Sequence, residues 1–229
     1  AYLNKALSGH NWDYHNFRDF RVQNMVAAAE ELSRRGYYVV RLGSIVEEAL
    51  TSPDPKIVDY ANSPLRSDFM DIYLLAHGAF FLGSDSGLFF VPLIFRKPIS
   101  IVNYTALSEF YRRDYEPWLI ILKYHWHREK QRFLSLHEIF EIGITNPSRS
   151  SEFEKAGVEL ICNTPQEISD LAIELDERLK GQWQSQPGDE ELQQRFWDII
   201  RKHAPSDRQI SRHVLIGASF LRNNTYLLD

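Results

Sequence analysis

Cysteine is nearly missing from this chain of 229 residues: Cys162 stands alone, so no internal disulfide can form. No Cys/His spacing matches a structural zinc site either. Long apolar runs are also missing. The longest, Leu88 to Phe95 and Trp118 to Leu122, fall far short of the roughly 20 residues that cross a bilayer. Neither charge sign dominates overall: the net charge is −5 with acids and bases interleaved along most of the chain, which gives no broad cationic face for a nucleic-acid backbone. No Gly-x-Gly-x-x-Gly turn follows an expected strand, which speaks against a dinucleotide oxidoreductase. Repeats and low-complexity tracts are absent as well.

What is present is the composition of a folded chain, with 44% hydrophobic and 25% charged residues, which excludes a disordered or fibrous protein. The length suits one large domain or a domain with an appendage. The most informative stretch is Ala79 to Pro92, AFFLGSDSGLFFVP. An apolar run feeds a turn of small polar residues, and a second apolar segment follows at once. This reads as buried strand, tight turn, helix start. In a parallel α/β sheet such a turn sits at the carboxyl edge, where ligands bind, and the next helix aims its free N–H groups there. Ser84 and Ser86 add hydroxyls, Gly87 admits a close approach to the backbone, and Asp85 either caps the helix or accepts from a sugar hydroxyl. An ordinary strand-to-helix turn explains the same residues.

The rest of the chain follows an αβ rhythm. Residues 1 to 17 read as a loop, and Asp19 to Arg35 as a helix with Gly36 as its stop. Tyr37 to Gly43 reads as a buried strand, Thr51 to Lys56 as irregular, and Ile57 to Tyr60 as a short strand. Ser67 caps a helix to His77, followed by the strand at 79 to 83, a helix at about 86 to 95 and the strand Ile99 to Val102. Three such units predict a parallel sheet with right-handed crossovers. Lys123 to Arg132 is basic with two histidines. Ser135 to Ile142 resembles a short helix and Gly157 to Cys162 a strand, with Cys162 as a buried core thiol. Thr164-Pro165-Gln166-Glu167 opens a helix that stops at Gly181. Gln182 to Asp189 is a linker, Glu190 to His203 a helix, and Arg212 to Leu228 a further helical segment. The division expected is a nucleotide-binding lobe over 1–181, and a linker with helices packing back over 182–229.

The segments VRLG, DYANS, SDFMDIYLL, FFLGSDSGLFFVPLIFRKPISIVNY, LKYHW and IGASFLRNNTYLL together resemble a family of bacterial glycosyltransferases associated with surface-polysaccharide gene clusters. The Gly83 to Gly87 turn with Lys97-Pro98 is also similar to the nucleotide-sugar turn of the lipopolysaccharide heptosyltransferases, a two-lobed (GT-B) group. The resemblance implies an α/β fold, the Rossmann-like carboxyl-terminal lobe of a GT-B architecture. That lobe holds a nucleotide-diphosphate sugar as donor, with a glycan as acceptor. The chain opens Ala-Tyr-Leu with neither an initiator Met nor a signal peptide, and it is expected to be the part of a longer protein that follows an acceptor-binding lobe. The expected location is the cytoplasm, with the inner membrane surface as a variant. The resemblance also implies that the terminal helix crosses to the other lobe.

Several side chains are then candidates. Arg18 precedes the first helix and reaches a phosphate at that helix's amino end; the family pattern favours this over a surface role, while Asp19 stands where the family has Asn. Arg41 and Gly43 end a strand, where a glycine admits a base or ribose; a salt bridge to an acid such as Glu30 explains Arg41 equally well. Asp59 and Tyr60 shape the base pocket or pack helix on sheet. Asp68 and Asp71 suit a helix's first turn and need no chemistry. Asn103 follows a strand's carboxyl end, and Lys123 either neutralises a leaving diphosphate or is the solvated end of the apolar run before it. His125 and His127 flank Trp126 without an acid cluster, so no metal is expected. The candidate binding set is Arg18, Arg41, Gly43, Ser84, Asp85, Ser86, Gly87, Leu88, Asn103 and Lys123. No catalytic base is assigned, because in this architecture it belongs to the other lobe. A nucleotide-binding module without catalysis is the alternative.

Overall fold

The computed structural model describes residues 3, 4, 7, 9, 11–111, 119–146, 148–204 and 214–229. Two 3-10 turns, Asp13–Arg18 and Val22–Met25, lead into helix α1 (Val26–Arg34). Strands β1 (Val39–Val40) and β2 (Ile57–Val58) follow, then α2 (Asp68–His77), β3 (Phe81–Ser84), α3 (Phe90–Ile94), β4 (Ile99–Tyr104) and β5 (Leu119–Leu122). Next come β6 (Tyr124–His127), β7 (Arg132–Phe133), α4 (Leu136–Ile142), α5 (Ser150–Lys155), β8 (Val158–Ile161) and α6 (Pro165–Leu179). The chain closes with α7 (Asp189–His203), β9 (Leu215–Ile216), α8 (Ala218–Asn223) and a 3-10 turn, Thr225–Leu228.

The result is a mixed α/β fold around a four-stranded parallel sheet ordered β3-β4-β5-β9 and flanked by helices. Such an arrangement is consistent with a Rossmann-like fold. Every residue of β4 and β5 is buried, as their apolar runs require of strands covered on both faces. Helix α6 packs on β4 and β5, and α1 packs on α6 through a face that buries Ala28, Ala29 and Leu32. Near the end of β4, Phe110 meets Phe196 and Trp197 of α7 edge to face, with ring centres 5.8 and 5.3 Å apart.

Local signals explain most helix ends. Ser67 accepts from the Met70 N–H, and Ser135/Glu138 and Thr164/Glu167 form complete capping boxes, the second with Pro165 in the first turn. Helix α1 ends at Gly36, whose φ of 100° suits only glycine.

Other parts differ from the sequence reading. Asp13–Arg18 is a 3-10 turn rather than loop, and the helix expected from Asp19 begins at Val22, as 3-10 turn, because no side chain caps its start. Strands β1 and β2 form a ladder of their own. A second, antiparallel sheet ordered β7-β6-β8 takes the basic histidine stretch and the strand before Cys162. The terminal segment is not helical throughout: Leu215 and Ile216 complete the parallel sheet beside β5, since an open edge there favours pairing over helical periodicity. Residues 212 and 213 of that segment, Trp118 of the apolar run, and Ala1 and Tyr2 lie outside the described residues. Helix α8 packs on α6 and α7 of the same sheet system, burying Phe220 and Leu221.

One ionic node fastens α6 to the start of the fold. The Asp176 carboxylate is fully buried and accepts from Tyr37 Oη at 2.6 Å, Arg35 Nη1 at 3.0 Å and Lys180 Nζ at 2.8 Å. Burial raises its pKa, but hydrogen bonds from Lys180, Tyr37 and Arg35 outweigh that and hold it below the ordinary carboxylate range. The same burial and contact push the Tyr37 hydroxyl up to about 12. Asp176→Ala is expected to lower stability by about 2–4 kcal/mol, less than a fully buried pair would lose because Arg35 and Lys180 keep part of their hydration. Urea denaturation checks this.

Candidate functional site

Because β3, β4 and β5 are parallel, their carboxyl ends form one edge, with Ser84 beside Val102 and Tyr104 beside Leu122. The edge carries Ser84 to Leu88, Asn103 and Lys123. The ends of β3 and β5 lie two strand spacings apart, about 10 Å.

At β3 the chain folds tightly, with the Ser86 N–H donating to the Ser84 carbonyl at 2.8 Å. A 3-10 turn, Gly87–Phe89, then runs into α3. Ser86 makes no side-chain cap, and it and Gly87 are exposed. The N–H groups of Gly87 and Leu88 donate to nothing among the described residues. A Cβ added at Gly87 would meet no atom within 4 Å, whereas one at Gly83 would come within 2.5 Å of the Phe81 ring. Two neighbouring glycines thus have different causes. Gly83 lets Phe81 fold across the strand, while Gly87 faces open space.

Asn103 stands in the middle of the edge with a left-handed φ of 56°. Its N–H donates to Asn163 Oδ1 and its own Oδ1 accepts from the Asn163 N–H, both at 2.7 Å. Asn163 Nδ2 also donates to the Leu122 carbonyl at 2.8 Å. This clasp ties the ends of β4 and β5 to the segment after β8. Asn163 was not among the sequence candidates. Its only signal is a polar residue between a strand and the Thr164 capping box.

Lys123 links β5 to β6 and is buried. Its Nζ donates to the carbonyls of Phe17 and Asp19, each at 2.8 Å, and no carboxylate lies within ion-pair distance among the described residues. Burial holds its pKa below the ordinary lysine range, against the pull of Cys162 and Asp19. Burial likewise raises the Asp19 carboxyl, which Lys123 opposes. Cys162 is half-buried rather than a core thiol, and its Sγ donates to the same Asp19 carbonyl at 3.7 Å.

The lysine thereby holds the segment that bears Arg18. Ser150 fixes the segment further, its Oγ accepting from the Phe17 N–H at 3.2 Å and donating to the Asp13 carbonyl at 3.1 Å. Arg18 is exposed, makes no ion pair among the described residues, and lies 5.2 Å from the Phe17 ring. Burial, with Arg18 nearby, lowers the pKa of His15.

Arg41 and Gly43 follow β1 of the separate two-stranded ladder, which ends at Val40 rather than at Gly43 as the sequence suggests. Arg41 bonds Asp59 at 2.9 Å and the Glu48 carbonyl at 3.2 Å, while Glu30 accepts from Ser52 instead. Asp59 also accepts from the Leu50 N–H and from Asn62, at 2.9 and 2.7 Å. Gly43 has φ 154°, and a Cβ there would meet Val46 Cγ1 at 2.8 Å. Tyr60 is buried, its hydroxyl accepting from the Ser67 N–H. Asp68 and Asp71 both bond Arg66. No group of three or more His, Cys, Asp or Glu side chains able to hold a metal occurs among the described residues. No helix among them is long and apolar enough to cross a membrane.

Compared with family models, curated proteins and solved structures, the chain matches none.

Beside Lys123 on β6, His125 is buried, with Nδ1 3.2 Å from the Lys123 carbonyl oxygen and no partner at Nε2 among the described residues. Its ring lies 5.8 Å from that of Phe153. Burial lowers its pKa from 6.5 to about 4. The folded value lies below the unfolded one, so the unfolded chain takes up the proton first as pH falls. This contribution to stability is full above 6.5 and fades toward about 4, by about 3 kcal/mol in total. His125→Leu is expected to flatten the pH dependence of urea stability over that window; an unchanged slope would place its cause elsewhere.

Proposed function

We propose that the chain is the donor-binding lobe of a metal-independent glycosyltransferase that moves a sugar from a nucleotide-diphosphate sugar to a glycan acceptor. The observation that carries this reading is the Ser84–Leu88 turn at the carboxyl edge of a parallel sheet, with undonated N–H groups and open space at Gly87. Such an edge is where α/β sheets bind nucleotides, and donors already oriented there stabilise charge as a diphosphate departs.

In this reading Gly87 and Leu88 hold the phosphates through backbone N–H groups, the Ser86 N–H being already given to the Ser84 carbonyl, and Ser84 and Ser86 add hydroxyls. Arg18, exposed on a segment held by Lys123, supplies the positive charge. Lys123 itself acts through that segment rather than on phosphate, because two carbonyls already engage its ammonium. Arg41 acts through Asp59, shaping the loop after β1. Asn103 orders the edge between the turn and Lys123. The two-lobed architecture, the acceptor's polysaccharide chemistry and a cytoplasmic location belong to the same proposal, and they rest on the resemblance of the sequence segments.

Nucleoside diphosphates are the test. The best of them is expected to raise the melting temperature by about 5–10 °C at roughly a hundredfold excess over Kd. Gly87→Val should leave the unliganded melting temperature nearly unchanged, because its side chain enters open space, and should abolish the shift. A shift that survives in the variant would move the site; no shift with any nucleotide would overturn the reading. Turnover of the corresponding nucleotide sugar with an acceptor then separates a transferase from a module that only binds.

A further inference from the structure

Helix α2 buries little of its apolar surface. Leu75 is buried, but Phe69, Ile72 and Tyr73 are exposed. The rings of Phe69, Tyr73 and His77 stack along the outside of the helix, with centres 6.0 and 4.1 Å apart. Leu65 precedes the helix, and Ile94 and Phe95 end α3, which packs on α2. The six large apolar residues are between 45% and 80% exposed. At about 150–250 Å² for a large side chain, they present on the order of 700 Å². That exceeds the few hundred Å² usual for a monomer, and it matches the roughly 800 Å² that each partner contributes to a stable interface.

We propose that this face is the interface of a homodimer in which α2 packs antiparallel on α2 of a second copy. The sequence of the helix is complementary to itself about a two-fold axis between Ile72 and Tyr73. In that register Phe69 meets Ala76 of the second copy, large against small. Asp68, whose carboxylate is almost fully exposed at the helix's amino end, meets His77 at the carboxyl end of the partner helix, and the opposed helix dipoles pair favourably. Ile72 and Tyr73 pack at the centre. A parallel arrangement would set Asp68 against Asp68 and Phe69 against Phe69. An isologous contact of this kind closes at two copies.

Sedimentation velocity of the full chain over a micromolar concentration series tests the proposal. A reversible dimer is expected. Phe69→Glu should weaken it by at least about tenfold, as loss of an aromatic anchor does. Tyr38→Glu, at an equally exposed residue between α1 and β1, should leave it unchanged. Register is read separately: in a Cys162→Ser background, Asp68→Cys combined with His77→Cys should cross-link on oxidation, whereas Asp68→Cys alone should not. A chain that stays monomeric throughout, or a dimer indifferent to Phe69→Glu, would overturn the inference. Cross-linking by Asp68→Cys alone would overturn the antiparallel register.

Discussion

The arrangement of the carboxyl edge depends on one buried charge. Lys123 brings an ammonium into the interior with no carboxylate touching it among the described residues, and two backbone carbonyls from the segment before α1 take the place of a counter-ion. An ammonium stripped of water costs several kcal/mol unless such donors and acceptors meet, so the Asp13–Arg18 turn cannot leave the sheet without exposing that cost. The position has a second consequence. Lys123 is the residue between β5 and β6, the point where the chain leaves the parallel sheet and enters the antiparallel one. A single side chain therefore couples both sheets to the segment that presents Arg18.

Ion pairs elsewhere serve the frame rather than the edge. The Asp176 node joins α6 to Arg35 and Tyr37, immediately before β1. Arg41 and Asp59 join the ends of β1 and β2. In both cases a carboxylate receives several donors, which explains why hydrogen bonding outweighs burial in setting its protonation. At the turn after β3 the opposite holds: polar backbone is left over instead of consumed. Saturated polar groups hold a structure, and unsaturated, accessible ones are free to meet a ligand.

Local chemistry was legible in the sequence wherever the deciding contact lay within a few residues. Ser67, Ser135 and Thr164 all cap the helices they introduce. The strands read at 99–102 and 157–162, which stand at 99–104 and 158–161, and the turn after β3 were legible for the same reason. Legibility ended where distant residues decide. Helical spacing in the terminal segment gave no sign that Leu215 and Ile216 would fill the edge beside β5. The apolar-then-basic pattern around Lys123 looked like a strand reaching solvent, yet carbonyls more than a hundred residues earlier bury it. Arg41 was read as either ligand or ion-pair partner, and its acid proved to lie on β2's loop rather than on α1. Asn163 carried no signal beyond its place between a strand and a capping box, since its role exists only once Asn103 is beside it.

Asn103 shows how strain and scaffold combine at such an edge. A left-handed backbone is uncommon for any residue but glycine and least costly for Asn, at about 1–2 kcal/mol. The conformation persists because the reciprocal bonds with Asn163 over-determine it: both the N–H and Oδ1 of Asn103 are committed to one partner. The register shift between Ile101 and Tyr104 follows, because a left-handed residue cannot continue the pleat. With those groups committed, the only side-chain donor left is Nδ2, which is buried and unpaired among the described residues. Asn103 therefore fixes where the end of β4 lies between the turn and Lys123, and in the proposed reading direct contact with an anion falls to the Gly87 and Leu88 N–H groups, which donate to nothing among the described residues.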